Sequence, residues 1–446
     1  MIPLQRQVLV FGLLAAACRA PGPGVPLPAP PAPPAPPAPG VAASDTACTI
    51  AARRTGGRDT VTVALTEPVD AAHAPVPRND AERWVFAQLY ETLMRVDCQG
   101  RVLAGLAKSW EQAARDRWTF TLRDDARFWD GAPVTARDVL AAWRLRDSGL
   151  AQTSAIVSER VISVPAPATP FQPFADPRLA VTKPAPGGGW PIGTGGHWVT
   201  GGGGGAGTAD ILWAAPLPKV ALPVLRLTLV APNGARDALD EGADLLVTDD
   251  AAALEYAAAR PEYVDAPLGW SRTYVLLSPG RDPPGVAALR LESLRQAVHG
   301  DARPAEESDG GHAWFTELGQ CDLPPARDTI GAQSRRHRVV YNLTDRSAAD
   351  LAARLVALGV LGRGAVATGL APAPFDAALR AGTEGAYVLR LRRRVFDFCR
   401  AALELPPWSS AGTIEPLVDV RSHALVRRGF PRLTVDWSGT TRLGPR

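Results

Sequence analysis

FWDGAPVTARDVLAAWR, residues 128–144, is the most organised stretch of this sequence. Gly131 predicts a tight turn after a Trp-Asp pair, and Pro133 stiffens the chain that follows it. Thr135 and Asp138 have the spacing of a capping box, in which each side chain accepts a hydrogen bond from the other residue's backbone amide. Such a box stabilises a helix start by about 1 kcal/mol, so the stretch is predicted to be scaffold. The apolar residues that share one face of the predicted helix are Val139, Leu140 and Trp143.

The rest of the chain alternates between patterns typical of strands and of helices. Strands are predicted at 60–65 and 118–122, and a helix capped by Asn79 or Asp80 is predicted to run to about Met94. In the second half, the predicted order is a strand at 339–342, a helix at 348–358 and a strand at 387–391. This order favours an α/β fold.

Composition excludes one class of function. The chain has 446 residues, a net charge of +3, and 46% hydrophobic and 21% charged residues. Basic residues are interspersed with acids and form no basic stripe, so we expect no nucleic-acid partner.

The N-terminus has the pattern of an export signal. Residues 1–17 carry Arg6 before an apolar run that is too short to span a bilayer. The run ends in LLAAAC, so Cys18 is predicted to be lipidated, with ordinary signal cleavage as the alternative. Residues 18–57 are predicted to form a lipid-anchored linker, because the prolines of 21–40 favour an extended spacer; a low-complexity tail without a spacing role is the alternative.

Four further cysteines remain in a chain that we expect to reach an oxidising compartment. We favour the pairs Cys48–Cys98 and Cys321–Cys399, each within one half of the chain, and four reduced thiols are the alternative. The cysteine spacings match no metal-binding pattern, and no cofactor or metal is expected.

Residues 187–208 read GGGWPIGTGGHWVTGGGGGAGT. A phosphate-binding loop would end in Gly-Lys-Ser or Gly-Lys-Thr, which is missing here, so a surface loop is predicted. The sequence also lacks the His-Glu-x-x-His and Gly-x-Ser-x-Gly motifs of hydrolases. We therefore expect a protein that is not an enzyme.

Three segments resemble the extracytoplasmic solute-binding proteins of ABC importers, family 5, which includes oligopeptide, dipeptide and nickel binders. They are QLYETLMRVDCQGRVLAGLAKSWE (88–111), WTFTLRDDARFWDGAPVTARDVLAAWR (118–144) and PIGTGGHWV (191–199). RDALDEGADLL (236–246) resembles a further stretch of the family. The similarity is nearly continuous in the first two segments and patchy towards the C-terminus.

The resemblance implies the two-lobed periplasmic-binding-protein fold of the large peptide-binding type, with a hinge. It implies lobe I over 58–272, lobe II over 273–409 and a return to lobe I over 410–446. Lobe II is then short for the family, which favours a smaller or unusual ligand. Ligand-lining residues are expected near the two crossings and in the loop after the first strand.

Five residues at those places are candidate ligand contacts. Trp270 and Tyr274 offer flat faces with a polar tip, and Arg272 can pair with a carboxylate in bidentate geometry. Trp408 could close the cleft from the other crossing, and His73 could make a polar contact. Packing at the hinge for the aromatic residues, an ion pair for Arg272 and an ordinary loop position for His73 are the alternatives.

One departure from the family bears on the ligand. Peptide-binding relatives carry an acidic residue in an Asp-Tyr-Pro-Asp-Pro-like stretch that pairs with the peptide amino terminus. The comparable region here reads RVFDFCRAALELPPW. Glu404 or Asp397 could substitute, but neither stands in the motif.

The resemblance implies a monomer that captures a peptide or another small solute by closure of its lobes and delivers it to an ABC permease. It implies an exported location, periplasmic or at the cell surface, anchored to the membrane through lipid. The alternative is a surface-anchored sensory or binding domain that has the same scaffold and no role in transport.

Overall fold

The computed structural model describes most of the chain after the Pro-rich region. The described residues are 48–50, 59–114, 116–166, 172–202, 211–218, 220–231, 234–269, 272–279, 314–315, 338–359, 361, 364–392, 408 and 413–444. The following predicted features lie outside them: the predicted signal, the lipidation site at Cys18, the predicted linker 18–57 apart from residues 48–50, the pair Cys321–Cys399, Trp270, Asp397 and Glu404.

The strands are short and numerous, and their bounds in chain order follow. They are β1 (Thr49–Ile50), β2 (Thr60–Leu65), β3 (Met94–Val96), β4 (Val102–Ala104), β5 (Ala107–Ala114), β6 (Arg117–Leu122), β7 (Ala155–Ser158), β8 (Val161–Pro165), β9 (His197–Gly202), β10 (Ile211–Pro216), β11 (Val224–Leu229), β12 (Leu245–Thr248), β13 (Tyr263–Pro267), β14 (Arg272–Ser278), β15 (Trp314–Phe315), β16 (Arg338–Asn342), β17 (Val366–Leu370), β18 (Ala386–Arg392), β19 (Thr413–Val420), β20 (His423–Arg427), β21 (Leu433–Val435) and β22 (Thr441–Leu443).

The α-helices of the described residues pack on these strands. They are α1 (Asp80–Leu89), α2 (Ala136–Arg144), α3 (Ser148–Thr153), α4 (Ala235–Asp240), α5 (Ala251–Ala258), α6 (Arg346–Ala357) and α7 (Pro372–Ala381). Among the described residues, no helix is long and apolar enough to cross a bilayer.

The first large sheet has seven strands in the order β13-β20-β12-β2-β11-β10-β9. Its centre is parallel, because β2 pairs in parallel with both β11 and β12. Successive residues of β2 point to opposite faces: Val63 packs with Trp84 of α1, and Ala64 packs with Leu239 of α4. Helices therefore cover both faces, as expected for an α/β sheet.

The stretch 128–144 forms the corner of a smaller antiparallel sheet, ordered β5-β6-β8-β7. The predicted capping box is present: Thr135 N donates to Asp138 Oδ2 at 2.9 Å, and Asp138 N donates to Thr135 Oγ1 at 3.3 Å. Gly131 has a φ of 86°, which the tight turn requires. Trp143 is fully buried, and its indole Nε1 donates to Leu179 O at 2.9 Å. The stretch is scaffold, as predicted.

The second large sheet has six strands in the order β15-β19-β14-β18-β16-β17. β16 pairs in parallel with β17 and β18, whereas β14 pairs antiparallel with β18 and β19. Alternation along β14 sends Tyr274 to the face that α6 covers. The same alternation sends Val275 to the opposite face, against Phe375 of α7.

The chain passes between the two large sheets twice, and the two crossings are neighbours. The first crossing, 268–271, joins β13 to β14, and the second, 421–422, joins β19 to β20. Leu268 N donates to Ser422 O at 2.9 Å, so the crossings are hydrogen-bonded to each other. β19 pairs with β14 along its whole length, and β20 of the first sheet follows residues 421–422. The return to lobe I at residue 410 stays a prediction.

The helix expected to run to Met94 ends instead at Leu89. The segment 191–199 crosses the end of α1, and Gly195 N donates to Leu89 O at 2.9 Å. A Cβ added at Gly193 would lie 2.2 Å from Leu89 O, so only glycine fits this approach. Leu93 is buried in the core beneath the small sheet, and β3 begins at the next residue.

Cys48 and Cys98 form a disulfide, one of the two pairings favoured from the sequence. It joins the start of the described chain to the turn after β3. Two backbone contacts lie beside the disulfide in the sequence: β1 pairs with β21, and Asp97 forms a β-bridge with Asp436.

Candidate functional site

Arg272 lies where the chain leaves the first sheet. Its side chain is largely buried, its Nη2 pairs with the carboxylate of Asp80, and its Nη1 donates to the hydroxyl of Ser422. Asp80 is the first residue of α1, and Ser422 lies on the second crossing. Arg272 therefore ties both crossings to the start of a helix of the first sheet.

Arg390 of the second sheet faces three carboxylates of the first. Its Nη2 lies 3.6 Å from Glu67 Oε1, and its Nη1 lies 3.6 Å from Asp80 Oδ2 and 4.0 Å from Asp249 Oδ2. Burial lowers the pKa of Arg390, but Asp80 and the other acids outweigh it, and the pKa lies well above its ordinary value. Arg390 is therefore a charged group held by the first sheet.

Tyr274 stands opposite Arg390 in the register of β14 and β18. It is fully buried, and its hydroxyl donates to both oxygens of Asp345, at 2.8 and 3.0 Å. Burial first, and then the charge of Asp345, raises the pKa of Tyr274 well above its ordinary value, so the hydroxyl stays protonated. Asp345 also caps α6 by accepting from Ala348 N at 3.0 Å.

Glu67 and Asp80 form a pair of like charges. The Asp80 backbone amide donates to Glu67 Oε2 at 2.8 Å. Burial raises the pKa of Glu67, Asp80 raises it further, and Arg390 and Arg272 only partly offset this. The Glu67 carboxyl is therefore protonated more easily in the folded protein than in the unfolded chain.

We call this group the inter-sheet cluster; its members are Glu67, Asp80, Asp249, Arg272, Tyr274, Asp345 and Arg390. It holds four carboxylates and two guanidiniums. Arg346 of α6 adds a peripheral contact, 3.7 Å from Nη1 to Asp250 Oδ2, but its side chain is mostly exposed. Exposed pairs of this kind contribute about 0–1 kcal/mol.

The position of the cluster follows from the topology. Glu67 comes after β2, Asp249 after β12 and Asp345 after β16, and all three strands have parallel neighbours. Ligands of open α/β sheets bind outside the carboxyl ends of such strands. The cluster lies where these ends of the two sheets meet.

Two of the five candidate contacts, Arg272 and Tyr274, belong to the cluster. Trp408 packs on the opposite face of the second sheet from Tyr274: its Nε1 donates to Leu379 O at 2.7 Å, and its ring centroid lies 5.6 Å from that of Tyr387. Trp408 precedes β19, so it does not lie at the return crossing.

His73 lies in a 3-10 helix after β2, and both ring nitrogens have acidic neighbours. Nδ1 lies 2.6 Å from Glu82 Oε1, and Nε2 lies 3.7 Å from Asp70 Oδ2. Glu82 is buried and also accepts from the backbone amides of Asp70 and Arg78. His73 therefore joins a loop network. Across the described segments, no three His, Cys, Asp or Glu side chains are grouped to hold a metal ion.

Sequence reasoning missed the four acids and Arg390. Asp80, which was considered only as a helix cap, and Asp345 stand at helix starts, a position common to acids that serve only as caps. One sequence pattern could have located the site: an acid within two residues of the end of a strand that has parallel neighbours, as at Glu67 and Asp249. Arg390 lies in a strand that also carries an arginine two residues later, so the local sequence does not distinguish Arg390 as a site residue.

Comparison with known proteins supports the expected resemblance. Residues 101–168 match the model of "Bacterial extracellular solute-binding proteins, family 5 Middle". The periplasmic murein peptide-binding protein MppA of Escherichia coli is 40% identical over 60 residues, which are 14% of this chain and 11% of that protein. Sequence similarity thus spans about a tenth of this relative's length.

Structural similarity extends much further. The structure of the murein tripeptide binding protein MppA of Escherichia coli aligns with a TM-score of 0.60 and 14% identity, over 86% of this chain and 98% of that one. NikA from Brucella suis, solved in complex with Fe(III)-EDTA, aligns with a TM-score of 0.61 and 17% identity, over 86% and 100% of the two chains. The two-lobed fold expected from the sequence is confirmed.

Proposed function

We propose that this chain, which has the two-lobed fold of family 5 solute-binding proteins and matches their family model over residues 101–168, captures a small solute between its lobes and delivers it to an ABC permease. The lobes would be the two large sheets with their helices, and the hinge would be the paired crossings 268–271 and 421–422. The first boundary of the predicted lobes stays near residue 272, and the second would move to 421–422.

One observation carries the proposal: Arg390 of the second lobe meets acids of the first lobe through contacts that are long for ion pairs. Arg390 approaches its three acids at 3.6–4.0 Å, at the outer limit of a salt bridge. Contacts of this length are exchanged easily for contacts with a ligand or with water. A ligand that touches both lobes favours the closed state by its difference in affinity for the two states.

The charges of the cluster favour a ligand with a cationic group. Its four carboxylates outnumber its two guanidiniums, and the charge of Asp80 adds to burial in raising the pKa of Glu67. A protonated amine or guanidinium could take the place of Arg390 on the first lobe. The amino terminus of a peptide fits this chemistry, as do small basic solutes. Arg272 and Tyr274 stay predicted ligand contacts, as do Trp270, Trp408 and His73.

The experiment measures ligand binding and lobe closure together on the full chain. Short peptides, amino acids, sugars and chelated metals, grouped by net charge, are titrated by calorimetry, and the radius of gyration is measured by small-angle X-ray scattering. We expect a cationic peptide or amine to bind and to compact the protein, and neutral analogues of the same size to bind at least tenfold more weakly. If no member of the panel binds, or if binding leaves the radius unchanged, solute capture by closure is wrong.

We further propose that the chain is exported, that Cys18 carries the lipid anchor, and that residues 21–40 space a monomeric binding domain from the membrane. The apolar run before Cys18 and the proline content support this. The mass of the N-terminal peptide from the native host distinguishes a lipidated Cys18 from simple cleavage.

A further inference from the structure

One face of the seven-stranded sheet is exposed to solvent at its β10–β9 end. Helices α4 and α5 pack on the face to which Ala64 points. Trp213 of β10 points to the same face, because it stands opposite Arg226 of β11, which in turn stands opposite Thr62 of β2. Trp213 is 38% exposed, and Ile211, two residues before it, is 37% exposed. These two helices therefore leave the end of the face uncovered.

A second tryptophan stands diagonally across from Trp213. Trp198 of β9 faces Ala215 of β10, two residues beyond Trp213, so both indoles rise from the same side of the sheet. Diagonal neighbours of this kind lie about 7–8 Å apart. Trp129, from the corner 128–144, stacks on Trp198 with ring centroids 4.9 Å apart and ring planes 9° from parallel. The stack holds the Trp198 ring in place.

The other two corners of this square are small residues. Gly201 faces Trp213, and Ala215 faces Trp198. A Cβ built on Gly201 would meet no atom within 4 Å apart from its chain neighbours, so the space beside the Trp213 indole is open. Two tryptophans with small residues between them form an accessible aromatic groove. We call it the tryptophan groove; its members are Trp198, Gly201, Trp213 and Ala215.

The same chain carries a segment whose repeat matches the groove. Residues 29–39 read APPAPPAPPAP, in which an Ala-Pro-Pro unit recurs every three residues. Polyproline II has three residues per turn and rises about 3.1 Å per residue, so this repeat sets prolines in a row about 9 Å apart along one edge. That spacing is close to the separation of the two tryptophans. A spacer requires proline content, but it does not require a period of three.

The chemistry of the groove also suits a polyproline segment. Proline-rich segments bind grooves lined by aromatic residues, because polyproline II is ordered before binding and loses little conformational entropy. This helix makes no internal hydrogen bonds, so its carbonyl groups are free to accept from a neighbouring donor. Arg226 stands directly beside Trp213, and its guanidinium is a donor.

The length of chain between the repeat and the described residues allows the contact. The described chain begins at Cys48, next to β1, which pairs with β21. Residues 40–47 can span at most about 27 Å, and the repeat itself adds about 34 Å. A domain of about 250 residues has a radius of gyration of about 18 Å. The segment is therefore long enough to extend across the first lobe.

We propose that residues 29–39 dock in the tryptophan groove of their own chain as a polyproline II helix. Prolines three residues apart contact Trp213 and Trp198 in turn. Docking and extension are two states of this segment, and docking draws the N-terminal part of the chain towards the first lobe. The inference rests neither on solute capture nor on lipid at Cys18.

The test follows the tryptophans of the full chain, labelled with 5-fluorotryptophan, by fluorine NMR. Trp213→Phe and Trp408→Phe identify two signals, one from the groove and one from the second lobe. Pro→Ser at every proline of residues 29–39 should shift the Trp213 signal and leave the Trp408 signal unchanged. An excess of a peptide of residues 28–40 should return the Trp213 signal of this serine variant to its position in the parent. The parent signal should not change on tenfold dilution, because groove and segment belong to one chain.

Two further substitutions in the serine variant make the test specific to the groove. Trp213→Ala removes one wall, so the affinity for the peptide, measured by calorimetry, should fall at least tenfold. Val366→Ala is the control, since Val366 is an apolar residue of β17 in the second sheet that is 54% exposed, and it should leave the affinity unchanged.

Three results would overturn the proposal: a Trp213 signal that is the same in the serine variant and the parent, a peptide that does not restore the signal, or an unchanged affinity in Trp213→Ala. A parent signal that moves on dilution would assign the groove to the segment of a second copy, and docking within one chain would be wrong.

Discussion

Arg390 Nη1 lies 3.6 Å from Asp80 Oδ2, and this contact joins the second large sheet to the first helix of the first sheet. Arg272 reaches the same carboxylate from the hinge. One acid thus receives an arginine from the first residue of β14, beside the crossings, and another from β18, within the second sheet. An opening of the lobes would separate Asp80 from Arg390 and leave its pairing with Arg272 in place.

Arg390→Gln should open the ligand-free protein. The substitution removes the charge that holds three acids of the first lobe, so we expect a larger radius of gyration in small-angle scattering and a loss of about 1 kcal/mol in unfolding free energy. Arg354→Gln is the matched control, because Arg354 pairs with Asp350 at 2.8 Å within a single helix. The control should change stability by less than about 0.5 kcal/mol and leave the radius unchanged. An unchanged radius in Arg390→Gln would show that the cluster does not hold the lobes together.

Glu67→Gln should stabilise the protein at neutral pH and not in acid. The pKa of Glu67 is raised above its ordinary value of 4.5 in the folded state. A group of this kind stabilises the fold fully below its unfolded pKa, and this stabilisation is lost as pH rises through the folded pKa. Glutamine stays neutral throughout, so the variant should melt a few degrees higher than the parent at about pH 7.5 and at nearly the same temperature at about pH 4.

Glu111→Gln is the control for this pH dependence, since Glu111 is exposed on β5. The melting temperature of Glu111→Gln should differ little from that of the parent at either pH value. If Glu67→Gln lowers the melting temperature at neutral pH, the carboxylate is compensated in the folded protein, and the inferred surplus of negative charge is wrong.

The capping box gives a prediction about the scaffold alone. Thr135→Ala should lower the unfolding free energy by about 1 kcal/mol, because the start of α2 loses the Thr135 hydroxyl, which accepts from Asp138 N and donates to Asp138 Oδ2. Thr135→Ser keeps the hydroxyl and should recover most of the loss. Ligand affinity should stay within twofold in both variants. A large fall in affinity would show that this corner contributes to the site.

The corner and the cluster differ in how far the sequence predicts them, and the reason is distance along the chain. Every contact of the capping box lies within four residues, so local spacing determines it. Arg390 and Asp80 meet only because the chain crosses twice between sheets, and no local pattern encodes that pairing. The end of α1 shows the same limit: its residues continue a helical pattern beyond Leu89, but Gly193 and Gly195, remote in sequence, pack across the backbone there.

The order of the strands along the chain nevertheless indicates where residues of the site lie. Two of the five candidate contacts, Arg272 and Tyr274, lie in the cluster, because both stand at the start of β14, directly after the first crossing. Trp408 packs elsewhere, because it precedes β19, and the chain passes back to the first sheet only after β19. His73 follows β2, as predicted, but its ring is turned to Glu82 and Asp70.

Two buried tyrosines of the second sheet separate a binding role of the cluster from a structural one. Tyr274 donates to Asp345 at 2.8 Å, and Tyr387 donates to Ala378 O at 2.7 Å on the other face of the sheet. Tyr274→Phe removes the hydroxyl that donates to Asp345, and Tyr387→Phe removes a hydroxyl that donates to Ala378 O and accepts from Glu384 N at 2.9 Å. Each variant should cost about 1–2 kcal/mol in unfolding free energy. Only Tyr274→Phe alters the cluster, because it leaves Asp345 with one donor fewer and a stronger attraction for a cation. We therefore expect calorimetry to give a several-fold change in affinity for the cationic ligand in Tyr274→Phe and none in Tyr387→Phe. Equal affinities in the two variants would assign Tyr274 to the core of the second lobe and remove it from the ligand site.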